Sequence, residues 1–140
     1  GEQEVIKLDG QDDTDLAKAL KRFDVSDVFG IEGGRLDHSL AAFTALFEAD
    51  SNATIHLEGW SGCRVPVDGA KIEVDIGANV SLFAFGKVTA IHTSGLLYSL
   101  GGEDMETSTL GVHNEATDNH VKISHQGGDL LAIWQTNIVD

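Results

Sequence analysis

Beyond about residue 50 the chain is a succession of short β-branched-rich runs: ATIHLEG, CRVPV, KIEVDI, NVSLFAF, KVTAIHT, GLLYSL, TLGVHNEA, HVKISHQ and DLLAIWQT. Clusters of Gly, Asn, Asp or Ser separate them. Runs of this length between turn residues suit antiparallel strands and leave no room for a long helix, which confines this portion to a sandwich or barrel. Gly86-Lys87 and Gly127-Gly128 stand between alternating segments and read as hairpin turns. Pro66 limits its own run to an edge or a strand start.

The first third has a different period. EVIKLD (4–9) reads as a strand, and DLAKALKRF follows with Leu16, Ala19, Leu20 and Phe23 at helical spacing. VSDVFGIEG (25–33) returns to a strand ending in glycine, and LDHSLAAFTALFEAD places Leu36, Leu40, Phe43 and Phe47 on one helical stripe. Strand, helix, strand, helix with short links predicts a parallel layer. The expected fold is therefore α/β followed by all-β: a partial parallel α/β layer of two strands and two helices (1–66) packed on an antiparallel β-sandwich (67–140). ATIHLEG either finishes the first sheet or begins the sandwich. A two-stranded parallel layer is small for a sheet normally buried on both faces. With Gly1 in place of an initiator methionine, it leads to the expectation that the chain is a portion of something longer.

Charge narrows the partners. Nine basic against 23 acidic side chains give a formal charge of −14, which repels phosphate backbones and anionic lipid surfaces. Nucleic acid and membrane are not expected partners, whereas a cationic small molecule, or an anion carried with a divalent metal, is acceptable. Cys63 is the single cysteine, so no internal disulfide forms, and no run of 18 apolar residues occurs. A cytoplasmic location is expected.

Three constellations can carry chemistry. DGQDDTD (9–15) ends a strand and starts a helix, where ligands bind in open α/β sheets. Its aspartates either cap and complement the helix dipole or hold magnesium with substrate phosphates. In GIEGGRLDH (30–38), Gly33 and Gly34 permit close ligand approach, Arg35 suits phosphate or carboxylate, and Asp37 and His38 stand at a helix start. Without a ligand, the same stretch is a glycine turn with Asp37 as cap and Arg35 in an ion pair. In TLGVHNEA (109–116), read as a strand, successive His113, Asn114 and Glu115 cannot all face one way. Asn114 can read a heteroaromatic ring edge or bond backbone at a strand end. Trp60, Tyr98 and Trp134 read as core or interface aromatics. The six histidines and Cys63 show none of the close ligand pairs of a zinc site.

DDTDLAKAL, GGRLDH, VSLFAF, SGLLYSL, STLGVHNEA and the closing LLAIW, in that order, resemble the thiamine pyrophosphokinase family. There the matching segments read D-Q-x-T-D, G-G-R-x-D-H, S-L-I-P-L, G-L-K-Y-P-L, S-x-S-N-E and a final apolar strand. The resemblance implies transfer of pyrophosphate from ATP to the thiamine hydroxyl, giving thiamine diphosphate and AMP. It implies a homodimer, with residues 1–66 as part of an ATP-binding catalytic domain and 67–140 as a thiamine-binding domain. Carried over by position, Asp12 and Asp15 would bind Mg2+ or ATP phosphates, with Gly33, Gly34 and Arg35 beside the nucleotide. Arg35 and Asp37 would line the reaction cleft, and Asp37, His38, His113 and Asn114 would meet thiamine. Asp13, Ala42, Ala84 and His113 depart from the family's glutamine, asparagine, proline and serine. The family's opening strand with its G-D-x-D-S motif has no counterpart. The expectation is that this chain by itself lacks kinase activity. The alternative is a non-catalytic thiamine-binding or dimerisation module.

Overall fold

Residues 3–8, 13–30 and 36–136 are described by the computed structural model. They fall into two units, divided after Arg64. The first begins β1 (Glu4–Leu8), α1 (Asp13–Arg22), β2 (Val25–Gly30) and α2 (Leu36–Glu48), as the apolar spacing predicts. It continues with β3 (Thr54–Leu57) and β4 (Trp60–Val65). β3 lies parallel to β2, with Ile55 in register with Val28, and β4 returns antiparallel to β3. The parallel layer thus has three strands where two were expected, and ATIHLEG belongs to it. The reason is burial: Val28 and Ile55 are both 0% exposed, so the second strand needs a third beside it. Leu57 pairs with Trp60, leaving Glu58-Gly59 as a two-residue turn whose second position has φ +78°, natural for glycine.

The buried helix faces are rotated from the expected stripes. In α1 the buried residues are Leu16, Ala17 and Leu20, while Phe23 is exposed. In α2 they are Ala42, Phe43, Ala45 and Leu46, and Leu36 and Leu40 face solvent. Small alanines let α2 approach closely, and bulk alone misassigned the face. Lys21 and Glu48 join the two helices at 3.3 Å.

The end of α2 is built without glycine. Asp50 takes φ +47°, the Ser51 N–H donates to Leu46 O (2.8 Å), and the Asp50 N–H donates to Phe47 O (3.2 Å). This is the Schellman pattern. Arg64 completes it from β4. Its Nε donates to Ser51 O and its Nη2 to Asp50 O, each at 3.0 Å, and Nη2 reaches Asn52 Oδ1 at 2.9 Å. A cation thereby meets the negative end of the helix dipole.

The second unit consists of β5 (Ala70–Glu73), β6 (Asn79–Ser94), β7 (Gly101–Met105), β8 (Asn114–Glu115), β9 (His120–Ser124) and β10 (Gly127–Gln135). Every pairing among them is antiparallel. NVSLFAF and KVTAIHT, expected as two strands about a Gly86-Lys87 hairpin, form the single strand β6. The chain does not reverse at Gly86, because β10 pairs on both sides of it: Gly127 with Thr89 and Asp129 with Phe85. Four steps of β6 oppose two of β10, so the glycine marks a bulge that bends the strand. The first half of β6 pairs with β10 and β8, the second with β7 and β9.

The core of this unit draws on Val80, Leu82, Ala84, Val88 and Ile91 from β6, Val121 and Ile123 from β9, and Leu130, Ala132 and Trp134 from β10. His125 is 3% exposed and still satisfied. Its Nε2–H donates to Val65 O (2.8 Å), and Nδ1 accepts from the Gly127 N–H (3.1 Å), which fixes the neutral tautomer. No helix among the described residues is long and apolar enough to cross a membrane.

Candidate functional site

In the first unit, β1 and β2 are parallel neighbours that end at the same, carboxyl edge of the sheet, and α1 and α2 follow them in the chain. Asp15 stands in the first turn of α1 with an exposed side chain. Asp37 and His38, also exposed, stand in the first turn of α2, where Asp37 Oδ1 accepts the His38 N–H at 2.9 Å. That bond lies at the positive end of the helix dipole, as a capping carboxylate would. Asp12, Gly33, Gly34 and Arg35 lie outside the described residues. Among those described, no three His, Cys, Asp or Glu side chains gather to hold a metal. A magnesium ion at this edge would take Asp15 as one hard oxygen donor and draw others from phosphate and water. A carboxylate oxygen is the donor type such an ion prefers.

A polar chain that sequence reading missed crosses the same sheet. Ser61 Oγ lies 2.9 Å from His56 Nδ1, and His56 Nε2 lies 2.7 Å from Asp27 Oδ1. Ser26 Oγ–H donates to Asp27 Oδ2 at 2.8 Å, and the Phe29 ring stacks on His56 with centroids 4.7 Å apart. Strand register dictates the grouping: His56 pairs with Phe29 on β2 and with Ser61 on β4. The order Ser–His–Asp is that of a nucleophile relay. Ser61 is only 3% exposed, however, and no substrate carbonyl reaches it, so the chain braces three strands. The available signal was Asp27 beside Val28 and His56 beside Ile55, polar residues inside apolar runs.

The His56 bond holds the Asp27 carboxyl below its ordinary 3.8, with help from Ser26 and against the opposing effect of burial. A depressed folded-state value stabilises the fold above pH 3.8, and that contribution is lost as pH falls through the lowered value. Asp27→Asn is therefore expected to be less stable than wild type at neutral pH, with the gap closing below about pH 4. Melting curves of both proteins from pH 7 to pH 3 check this, and a gap that widens in acid overturns it. The one thiol nearby, Cys63, is buried and pushed up to about 12 by desolvation, so it is no nucleophile.

In the second unit, TLGVHNEA is a turn over its first five residues and a strand only at Asn114–Glu115. His113 takes φ +68°, so strand alternation does not govern where its exposed side chain points. Its N–H donates to Ser81 Oγ at 3.3 Å. GLLYSL, expected as a strand, is a loop held by Asn114. Asn114 Oδ1 accepts from the Tyr98 N–H (3.0 Å) and from the Glu115 N–H (2.9 Å), and Nδ2 donates to Tyr98 O (2.8 Å). One side-chain amide thus imitates a backbone pair. Further links are the Leu97 N–H to Glu115 O and the Thr117 N–H to Gly95 O, both 2.8 Å. The tethered loop presents Leu97 and Tyr98 to solvent, 52% and 68% exposed. Trp60 is partly exposed as well, and Trp134 is buried.

Trp134 also lines a groove of about 500 Å³ with Glu73, Asp75, Asn119, His120 and Gln135. Two carboxylates beside an indole suit a cationic ring. His120 Nε2 stands 3.8 Å from Glu73 Oε1.

Residues 70–128 match the family model of the thiamin pyrophosphokinase vitamin B1 binding domain. No curated protein matches the chain by sequence. Among solved structures, thiamine pyrophosphokinase from Bacillus subtilis is 28% identical, with a TM-score of 0.73 over 92% of this chain and 65% of that one. A thiamin pyrophosphokinase family protein from Enterococcus faecalis has the same TM-score at 19% identity, over 93% of this chain and 66% of that one. Thiamin pyrophosphokinase from Candida albicans, at 9% identity, shares the fold with a TM-score of 0.64 over 81% of this chain and 46% of that one. The chain therefore spans two thirds or less of the length of these structures. Residues 70–128 thus match a vitamin B1 binding domain, and the chain shares its fold with these thiamine pyrophosphokinases.

Proposed function

We propose that the second unit binds thiamine and that the chain is part of an enzyme transferring pyrophosphate from magnesium-ATP to the thiamine hydroxyl, releasing AMP. The observation that carries this reading is the vitamin B1 binding domain match over residues 70–128. Net charge agrees, since a chain of −14 attracts a thiazolium cation. In this reading His113 and the Asn114 loop meet the pyrimidine. Asp37 and His38 stand on the substrate side of the reaction cleft, and Asp12, Asp15, Gly33, Gly34 and Arg35 hold the nucleotide. Magnesium supplies charge neutralisation on the triphosphate. Arg35 donates to the phosphoryl oxygens as charge develops, and Asp37 orients the attacking hydroxyl. The working form is a homodimer.

The test on this chain is thiamine binding followed by amide chemical shifts. Saturable changes at Leu97, Tyr98 and 113–115 are expected, with other cationic heteroaromatic analogues of thiamine competing. Changes confined to Glu73, Asp75 and Trp134 would move the site to the acidic groove, and no saturable change at all sinks the reading. Turnover is tested separately as AMP release from magnesium-ATP. Release that ignores thiamine contradicts the kinase assignment.

A further inference from the structure

On the sheet formed by β5, β9 and the second half of β6 lies another groove, of about 450 Å³, lined by Lys71, Lys122, His92, Ser94, Ser124 and Asp68 among others. Register builds it. Lys71 stands directly opposite Lys122, Ser94 stands opposite Lys122 on the other side, and His92 opposes Ser124 one row along. Residues directly opposite in an antiparallel pair share a face and lie near one another, so both ammonium groups occupy one side of the sheet.

Like charges in that arrangement repel. The chain has 23 acidic and nine basic side chains, so an acidic residue opposite either lysine would be the ordinary solution. Instead the two lysines are paired with each other, both are exposed, and neither has an ion pair among the described residues. Asp68 is the one carboxylate among the lining residues. Ser94 and Ser124 add hydroxyl donors. His92 Nδ1 donates to Ala90 O at 3.2 Å, which fixes the ring beside the groove.

We infer that this groove binds a small phosphate-bearing anion of the pyrophosphate type. Lys71 and Lys122 would neutralise it from one side, and the Ser94 and Ser124 hydroxyls would donate from the same face. The inference rests on the register of three strands and is independent of where thiamine binds.

The full chain, at low ionic strength and without magnesium, is titrated with inorganic pyrophosphate and separately with ATP while amide shifts are followed. Saturable shifts centred on Lys71, His92, Ser94, Lys122 and Ser124 are expected. Lys71→Gln and Lys122→Gln should each weaken binding by at least about tenfold, as loss of a charge-assisted contact does. Lys122→Arg should retain it, and Lys18→Gln on α1 should behave as wild type. Equal binding of ATP assigns the site to a nucleotide-borne phosphate, and binding of pyrophosphate alone assigns it to the free anion. Unliganded Lys122→Gln should melt no lower than wild type, since it relieves repulsion. Shifts that do not saturate, or Gln variants that bind as wild type, overturn the inference.

Discussion

Gly128→Ala should lower the stability of the second unit by about 2–5 kcal/mol, the sum of a left-handed backbone imposed on alanine and a clash in a packed sheet. Gly128 has φ +107° and sits inside the bulge between Gly127 and Asp129 of β10. A Cβ there would run into the Lys87 carbonyl oxygen and lie 2.9 Å from Val88 Cα. Both obstacles are backbone, so neither can swing aside as a side chain would. Val88 is 0% exposed, and displacing it disturbs the core at the bend of β6. For a unit of this size the expected change corresponds to a fall in melting temperature of about 8–40 °C. Gly77→Ala is the control. Its φ is +92° with nothing within 4 Å of the added carbon, so it carries the backbone term alone and should cost about 1–2 kcal/mol. Equal melting temperatures for the two variants would show that β6 and β10 do not approach at Gly128 as described.

That bulge also shows where sequence reading stopped. Gly86-Lys87 reads locally as a hairpin turn between alternating runs, and it is instead a kink inside the continuous strand β6. Whether a glycine there reverses the chain or kinks it depends on a partner strand more than 40 residues away, because Leu130, Leu131 and their neighbours of β10 pair with Ala84, Phe83 and on toward Val80. Local pattern carries no such information. Elements stabilised by their own period were legible: α1, α2, β1 and β2 fall where spacing put them. Which side of each helix is buried was not, since Ala42 and Ala45 are buried for lack of bulk while Leu36 and Leu40 stand exposed. The candidate site divides the same way. The places of Asp15, Asp37 and His38 were legible, since the local pattern marks the starts of the two helices that follow β1 and β2. The Asp27–His56–Ser61 chain was not, because strand register assembles it from residues each unremarkable in its own run. Asn114 was legible as a residue with work to do, and both of its readings, ring edge or backbone, were on offer. The structure commits three of its hydrogen bonds to backbone.

Asn114→Ala should therefore act on the Tyr98 loop before it acts on any ligand. The substitution removes an acceptor shared by two N–H groups and a donor to Tyr98 O, at a net cost of about 1–3 kcal/mol given that water reaches part of the site. The direct readout is hydrogen exchange at the Tyr98 amide, which should lose its protection. Asn114→Asp separates the roles of the side chain. It keeps the Oδ1 acceptor for the Tyr98 and Glu115 amides, loses the Nδ2 donor, and sets a carboxylate oxygen against Tyr98 O, 2.8 Å from where Nδ2 stood. Its stability should fall between wild type and alanine, with the Tyr98 amide still protected. Thiamine binding then distinguishes contact from positioning. If Asn114 touches the pyrimidine through Nδ2, Asp and Ala variants lose affinity alike, by about tenfold or more. If it serves by holding the loop, affinity follows protection, and Asp retains most of what Ala loses. Unchanged exchange at Tyr98 in Asn114→Ala would mean the amide does not hold the loop at all. The exposed faces of Leu97 and Tyr98 would then need another anchor to present them to a ligand.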